Sequence, residues 1–349
     1  SKRGKEKGCD RPYSEAMYVK RQGGDLYISA KLDERTDITY WFRRCMFNEL
    51  YTFYRVGITR NRTALPTTQP EAEPAVLLNS TYSDKITRIE GDTTLWANRV
   101  TVEAENVILD PTRPYRNAAG GEELRDTLCR ESVTYTVRRN NIEVTASHRF
   151  CNAAPVTIAI YYGMQSMFEG ETHVLTPGGA YTDWTEVAKA STFTKQEHPL
   201  FRRYVEKNRQ GYQSTWLLPD GLGDHALLDG QDDIFIYAPY GKSYHKLIGN
   251  KRMENGDKTY WRGVYTWFET PIADDADLLC YEGSVGGHTA VFIDCKRACK
   301  RTLALPGYLD LRHFGTAEQN SGIRISAAGR NKLKIKAGAP GSCVLLLRE

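Results

Sequence analysis

The sequence predicts an all-β chain: a large antiparallel β-sandwich with one short helix. Three observations carry this. Runs rich in Val, Ile, Thr, Tyr, Phe and Trp recur along the chain. Gly, Pro, Asn and Asp punctuate them, as turns require. Within many runs apolar and polar residues alternate, which sends them to opposite faces of a strand. Helical spacing shows only over 195–209 (KQEHPLFRRYVEKNR), through Leu200, Tyr204, Val205 and Asn208, with Pro199 near the start. No internal repeat, Gly-rich phosphate loop or nucleophile elbow is visible, which weighs against a propeller, a nucleotide site and an α/β-hydrolase.

The chain of 349 residues, 26% charged and 40% hydrophobic, is globular in composition. Residues 1–12 are charged and lack apolar periodicity, so a mobile tail is expected there, with 13–349 forming one large domain. The first ten residues show no signal peptide, as a mature chain would not. A net charge of +4 gives no reason to expect nucleic acid as a partner. No apolar run is long enough to span a membrane.

In chain order, strands are expected at 16–20, 25–31, 38–47 and 50–59, with Asn48-Glu49 turning the last pair. Pro66, Pro70 and Pro74 make 60–74 a loop. A short strand at 75–79 and a long one at 93–109 precede a Pro/Gly/Asn-rich loop at 110–125. The stretch 131–168 then reads as three consecutive antiparallel strands, with turns at Asn140-Asn141 and Asn152–Pro155. Paired in order, they would gather Thr134, Thr136, Arg138, Glu143, Thr145, Arg149, Tyr161 and Gln165 on one wet face. Further strands are expected at 212–217, 233–237, 259–269, 278–282, 289–295, 302–305, 309–314, 322–326, 332–336 and 342–348.

Arg, Gln and Tyr hydrogen-bond with defined geometry, and Tyr adds a flat apolar surface. That suits a sugar, with its apolar ring faces and hydroxyl rim. Arg138, Arg149 and Gln165 are therefore expected to bind substrate; for Tyr161 two roles are open, a hydroxyl that bonds across the sheet and one that moves a proton beside Arg149. Trp261, Tyr265, Trp267 and Glu269 share a face of 259–269 and could stack on a sugar, or fill a core. His148 lies on the apolar register of its strand, so a core histidine and a catalytic base are both open. His288 follows Gly286-Gly287 and could face a cleft.

Eight cysteines are expected as buried thiols or one local disulfide. Cys295 and Cys299 resemble half a metal knuckle, but no second pair lies near in sequence, so no metal ligands are assigned. The acidic stretch 220–233 (DGLGDHALLDGQDD) could hold calcium, with a solvated loop as the default. No cofactor is otherwise expected.

The long alternating strands and the Tyr/Arg/Gln-rich face resemble the galactose-mutarotase-like supersandwich. That fold recurs in aldose epimerases and in domains of polysaccharide lyases and glycoside hydrolases. Mutarotases carry an Asn-His pair after an early strand; here Ser80 follows Asn79, a departure from that pattern. With the polar face, the resemblance implies a glycan partner and a carbohydrate-active protein. An enzyme acting on an acidic polysaccharide or oligosaccharide, by lyase or hydrolase chemistry, is expected. The alternative is a non-catalytic glycan-binding or structural module. Either implies an extracellular or periplasmic setting, and the oligomeric state is left open.

Overall fold

The computed structural model describes residues 9–44, 51–60, 76–77, 85–88, 94–110, 127–167, 170–187, 192–194, 203–218, 233–238, 242–320 and 322–347. Its first strands are β1 (Met17–Gln22), β2 (Asp25–Lys31), β3 (Asp37–Arg44), β4 (Tyr51–Thr59), β5 (Val76–Leu77), β6 (Lys85–Arg88), β7 (Thr94–Ala97) and β8 (Val100–Leu109). The middle of the chain forms β9 (Thr127–Arg138), β10 (Asn141–Phe150), β11 (Val156–Met167), β12 (His173–Leu175), β13 (Thr185–Glu186), β14 (Thr192–Thr194), β15 (Arg203–Asn208), β16 (Gly211–Leu217), β17 (Asp233–Ala238), β18 (Lys242–Met253) and β19 (Lys258–Phe268). The last are β20 (Ala273–Asp274), β21 (Leu278–Val285), β22 (His288–Cys295), β23 (Cys299–Ala304), β24 (Phe314–Gln319), β25 (Ile323–Ala327), β26 (Lys332–Ala337) and β27 (Gly341–Leu347).

These strands make antiparallel sheets, none closed into a barrel. A six-stranded front sheet runs β5-β4-β3-β2-β1-β7, and a nine-stranded long sheet runs β13-β12-β15-β16-β19-β10-β9-β8-β6. A side sheet runs β11-β18-β17-β14, a back sheet β20-β21-β22-β27-β24 and a cap sheet β23-β26-β25. The cores stack in series. Ile28, Tyr40 and Phe42 of the front sheet meet Tyr135, Val144, Trp261 and Trp267 of the long sheet. Val205, Trp216, Val264 and Phe268, elsewhere on the long sheet, meet Leu279, Tyr281 and Phe292 of the back sheet. Cys280, Val291 and Cys343 on the other side of the back sheet meet Leu303, Leu333 and Ile335 of the cap. Successive residues of β19 therefore serve different cores, as period-two alternation dictates. Each fully buried apolar side chain contributes about 1.5–3 kcal/mol.

Polar locks join the layers. The Arg203 guanidinium on β15 clasps Asp294 on β22 at 2.6 and 2.8 Å, and donates to Tyr281 Oη at 3.0 Å. Tyr281 Oη donates to Ser214 Oγ on β16 at 2.8 Å. On the side sheet, His245 is buried, its ring tilted against Tyr204 at 5.3 Å. Burial pushes its pKa down from 6.5 to about 3.

Several sequence expectations need correction. Residues 203–208 are strand β15, not helix; 195–202 lie outside the described residues. Four successive residues, Arg203 to Glu206, are buried, because β15 lies between layers. A strand buried on both faces loses its alternation and imitates helical spacing. The third strand of 131–168 does not extend the sheet of the first two. β19 takes that place beside β10, in register from Asn141↔Thr266 to Arg149↔Lys258. β11 crosses to the side sheet and pairs with β18. It bulges between Gly163 and Ser166, where Met164 sits at φ 52 with its thioether over the Cα of Gly263. The run 93–109 breaks at Asn98-Arg99, so β7 edges the front sheet while β8 enters the long sheet. Leu309 and Leu311 are core residues on a loop, and the strand there begins at Phe314. The turn at Asn48-Glu49 and most of 220–233 lie outside the described residues. The described cysteines, all but Cys45, are free thiols. No described helix is long and apolar enough to cross a membrane.

Candidate functional site

The layers end together at a cleft of about 880 Å³. Its walls come from the β2–β3 turn (Asp33 to Thr36), the β9–β10 turn (Arg139-Asn140), the chain after β19 (Glu269 to Ile272), Glu282 of β21 and the link after β23 (Leu305 to Tyr308). Tyr13 closes one side. That volume lies within the range of small-molecule sites.

The β9–β10 turn is the fixed point. Asn140 Nδ2 donates to the carbonyls of Trp267 (3.0 Å) and Glu282 (2.9 Å), tying the turn to β19 and β21. Arg139 donates to the Lys31 and Leu32 carbonyls at 3.0 and 3.3 Å, tying it to β2. Tyr40 Oη donates to the Arg139 carbonyl at 2.8 Å. The turn's side chains thus satisfy backbone groups that the ending sheets leave open.

On this frame sits a compact ionic and aromatic group. Arg11 clasps Glu282 at 2.5 and 3.0 Å, and Arg139 reaches the same carboxylate at 3.7 Å. The Arg11 guanidinium lies 4.2 Å over the Tyr308 ring and donates to Tyr13 Oη at 3.3 Å. Burial opposes the charge on Arg11, but the bonds and field of Glu282 outweigh it and its pKa rises. Burial, then the nearby Glu282 charge, raises the Tyr308 pKa, so the phenol keeps its proton. At the outer rim Arg60 clasps Glu269 at 2.7 and 3.1 Å. The segment expected as a mobile tail therefore has Arg11 anchored to Glu282; Ser1 to Gly8 lie outside the described residues.

Of the residues singled out in sequence, only Glu269 lines this cleft. Trp261, Tyr265 and Trp267 are each 1% exposed and fill the core, so they form no stacking platform. His148 and Tyr161 do meet, ring against ring at 5.4 Å, but between sheets. His148 Nε2 is 2.5 Å from Glu131 Oε2, and its Nδ1 is 3.1 Å from Thr259 Oγ1. Asn106 Nδ2 donates to the other oxygen of Glu131 at 2.6 Å. Tyr161 Oη accepts from Trp261 Nε1 at 2.9 Å, and burial lifts its pKa well above 10.0. His148 is thus a satisfied core histidine.

Arg149 is exposed on the opposite face of β10 from His148, so it does not share a face with Tyr161. Gln165 lies in the β11 bulge, its carbonyl accepting from Tyr265 Oη at 3.3 Å. The expected Arg149–Tyr161–Gln165 face does not form, because β11 belongs to another sheet. Arg138 is half-buried, its guanidinium against Gly287, and His288, the next residue after that glycine, is exposed at the start of β22.

Sequence reasoning missed Arg11, Tyr13, Arg139, Glu282 and Tyr308. No local spacing joins them; only the turn, expected at Asn140-Asn141 and found one residue earlier at Arg139-Asn140, carried a signal.

A second polar cluster ties β20 of the back sheet to β15 and β16 of the long sheet. Asp274 accepts from Trp184 Nε1 (3.0 Å), Lys296 Nζ (2.9 Å), Tyr212 Oη (2.7 Å) and Lys207 Nζ (3.2 Å). Burial alone would raise its pKa, but the bonds from Trp184, Tyr212 and Lys296 bring it down to about 2. No protein-family model matches the chain, and no curated protein matches it.

Proposed function

We propose that the protein is carbohydrate-active and takes a polysaccharide or oligosaccharide into the cleft beside Tyr308. The observation that carries this is the grouping of Tyr13, Tyr308, Arg139 and Glu282 around one cleft of about 880 Å³, with Arg11 bonded to Glu282. Flat rings suit sugar faces, and guanidinium and carboxylate groups suit hydroxyls and uronate carboxylates. Tyr308, which lines the cleft and keeps its proton, would deliver it to a glycosidic oxygen as a bond breaks. Arg139 would steady an acidic sugar, and Glu269 or Glu282 would take the complementary proton or the attacking role. This is lyase or hydrolase chemistry on an acidic glycan, in an extracellular or periplasmic setting.

One observation favours a second reading, binding without turnover. Both carboxylates are clasped through two bonds by an arginine, which commits their oxygens.

A panel of acidic and neutral polysaccharides, incubated with the full chain, separates these readings. New absorbance from unsaturated uronates with new reducing ends means a lyase, and new ends alone a hydrolase. Either should fall by at least about a hundredfold in Tyr308→Phe, the scale of a general acid. Retarded migration in a polysaccharide gel without turnover means a binder. None of these signals on any glycan overturns the proposal.

A further inference from the structure

We infer that Glu171, His173 and Glu186 form a site for a divalent transition-metal ion, Zn²⁺ or Mn²⁺, on the outer edge of the long sheet. One ligand atom from each of the three lies within 4.8 Å of the other two. Donors around an ion bound at about 2.0–2.2 Å sit roughly 3–4 Å apart, so a small rotation of the exposed glutamates closes the site.

The backbone prepares this arrangement. His173 sits in β12 between two strands, directly opposite Glu186 of β13 on one side and Lys207 of β15 on the other. Its neighbours Thr172 and Val174 are buried, and alternation turns the imidazole outward. Val187 is also buried and donates its N–H to the Thr172 carbonyl at 3.0 Å, which turns Glu186 to the same side. Directly opposed residues hold their Cβ atoms about 5 Å apart. Glu171, two residues before His173, brings its Oε1 to 3.6 Å from His173 Nε2. Lys207 shares the register of His173 but donates to Asp274 at 3.2 Å, drawn away from the trio.

The donor set selects the ion. One imidazole with two carboxylates suits Zn²⁺ or Mn²⁺; calcium prefers oxygen ligands alone. The site is open, since Glu171 and Glu186 are exposed, so water or a ligand oxygen would complete the coordination. None of the three residues lines the cleft, so this site stands independently of the glycan reading. A bound ion would tie the chain before β12 to β13, the outermost strand of its sheet.

The test is calorimetric titration of the metal-free full chain with Zn²⁺, Mn²⁺ and Ca²⁺, alongside visible spectra with Co²⁺. The expected result is one Zn²⁺ per chain, bound in the micromolar range, with Ca²⁺ at least about tenfold weaker. His173→Ala and Glu186→Gln should each weaken Zn²⁺ by at least about tenfold. Glu254→Gln, an exposed carboxylate elsewhere, should leave it unchanged. The substituted side chains are exposed or half-exposed, and circular dichroism melts without metal should match the parent chain. Three results would each overturn the site: no Zn²⁺ bound up to millimolar concentration, binding unaltered in both variants, or a cobalt–thiolate charge-transfer band placing the ion on cysteine.

Discussion

Two regions of the molecule bring a tyrosine and a glutamate together with a basic side chain. At the cleft these are the lining residues Tyr308 and Glu282, joined by Arg11; between the sheets they are Tyr161, Glu131 and His148. The first group lies where the layers end, the second where they overlap. In the overlap the polar side chains turn to one another, His148 and Asn106 sharing the carboxylate of Glu131, because water is excluded. At the layer ends the same side-chain types line a space that a ligand can enter. Chemistry-bearing residue types mark both places, and the position of the sheets decides which is open to a ligand.

Three substitutions or conditions can break or sharpen this contrast. The largest effect belongs to the sealed group. Glu131→Ala strands His148 and Asn106 without their shared partner, and should cost about 3 kcal/mol in urea unfolding. An unchanged midpoint would show that the group is not sealed. Acid comes next. His245 is held neutral in the fold down to about pH 3, against an ordinary value of 6.5. Its folded pKa is depressed, so between those values the unfolded chain binds the extra proton. Stability from this group is complete above about pH 6.5 and declines as pH falls towards 3, by about 2 kcal/mol near pH 5. Denaturant titrations across that range measure the loss, and His245→Leu should flatten it. The smallest effect is at the rim. Arg60→Ala removes an exposed pair with Glu269 and should cost under about 1 kcal/mol, less still in high salt. A larger loss would make the rim part of the framework.

Where one face of a strand looks outward, the sequence was legible. Val133, Tyr135 and Val137 alternate with half-buried polar neighbours along β9, and Ile142, Val144 and Ala146 do the same along β10. Legibility failed where both faces are covered. β15 presents four buried residues in a row, and its pattern then reads as a helix. It failed again for pairing across sheets. Nothing within 151–155 says that β11 will leave β10 and that β19, more than a hundred residues on, will take its place. The aromatic row of β19 was legible as aromatic, but its burial depends on the front sheet. The cleft was almost illegible, because Tyr13, Arg139, Glu282 and Tyr308 come from four separate segments. The Glu171–His173–Glu186 trio was hidden similarly: two members lie close in sequence, and the third arrives through strand pairing.

The placement of β19 has one more consequence. It is hydrogen-bonded to β10 along one side and to β16 along the other, and its side chains feed two cores. Where both neighbours pair with it, from Gly263 to Thr266, its amides meet solvent only when a flanking strand separates, and that separation disturbs the packing on both faces together. The front and back halves of this part of the molecule should therefore loosen as one cooperative unit, with the slowest hydrogen exchange expected from Gly263 to Thr266.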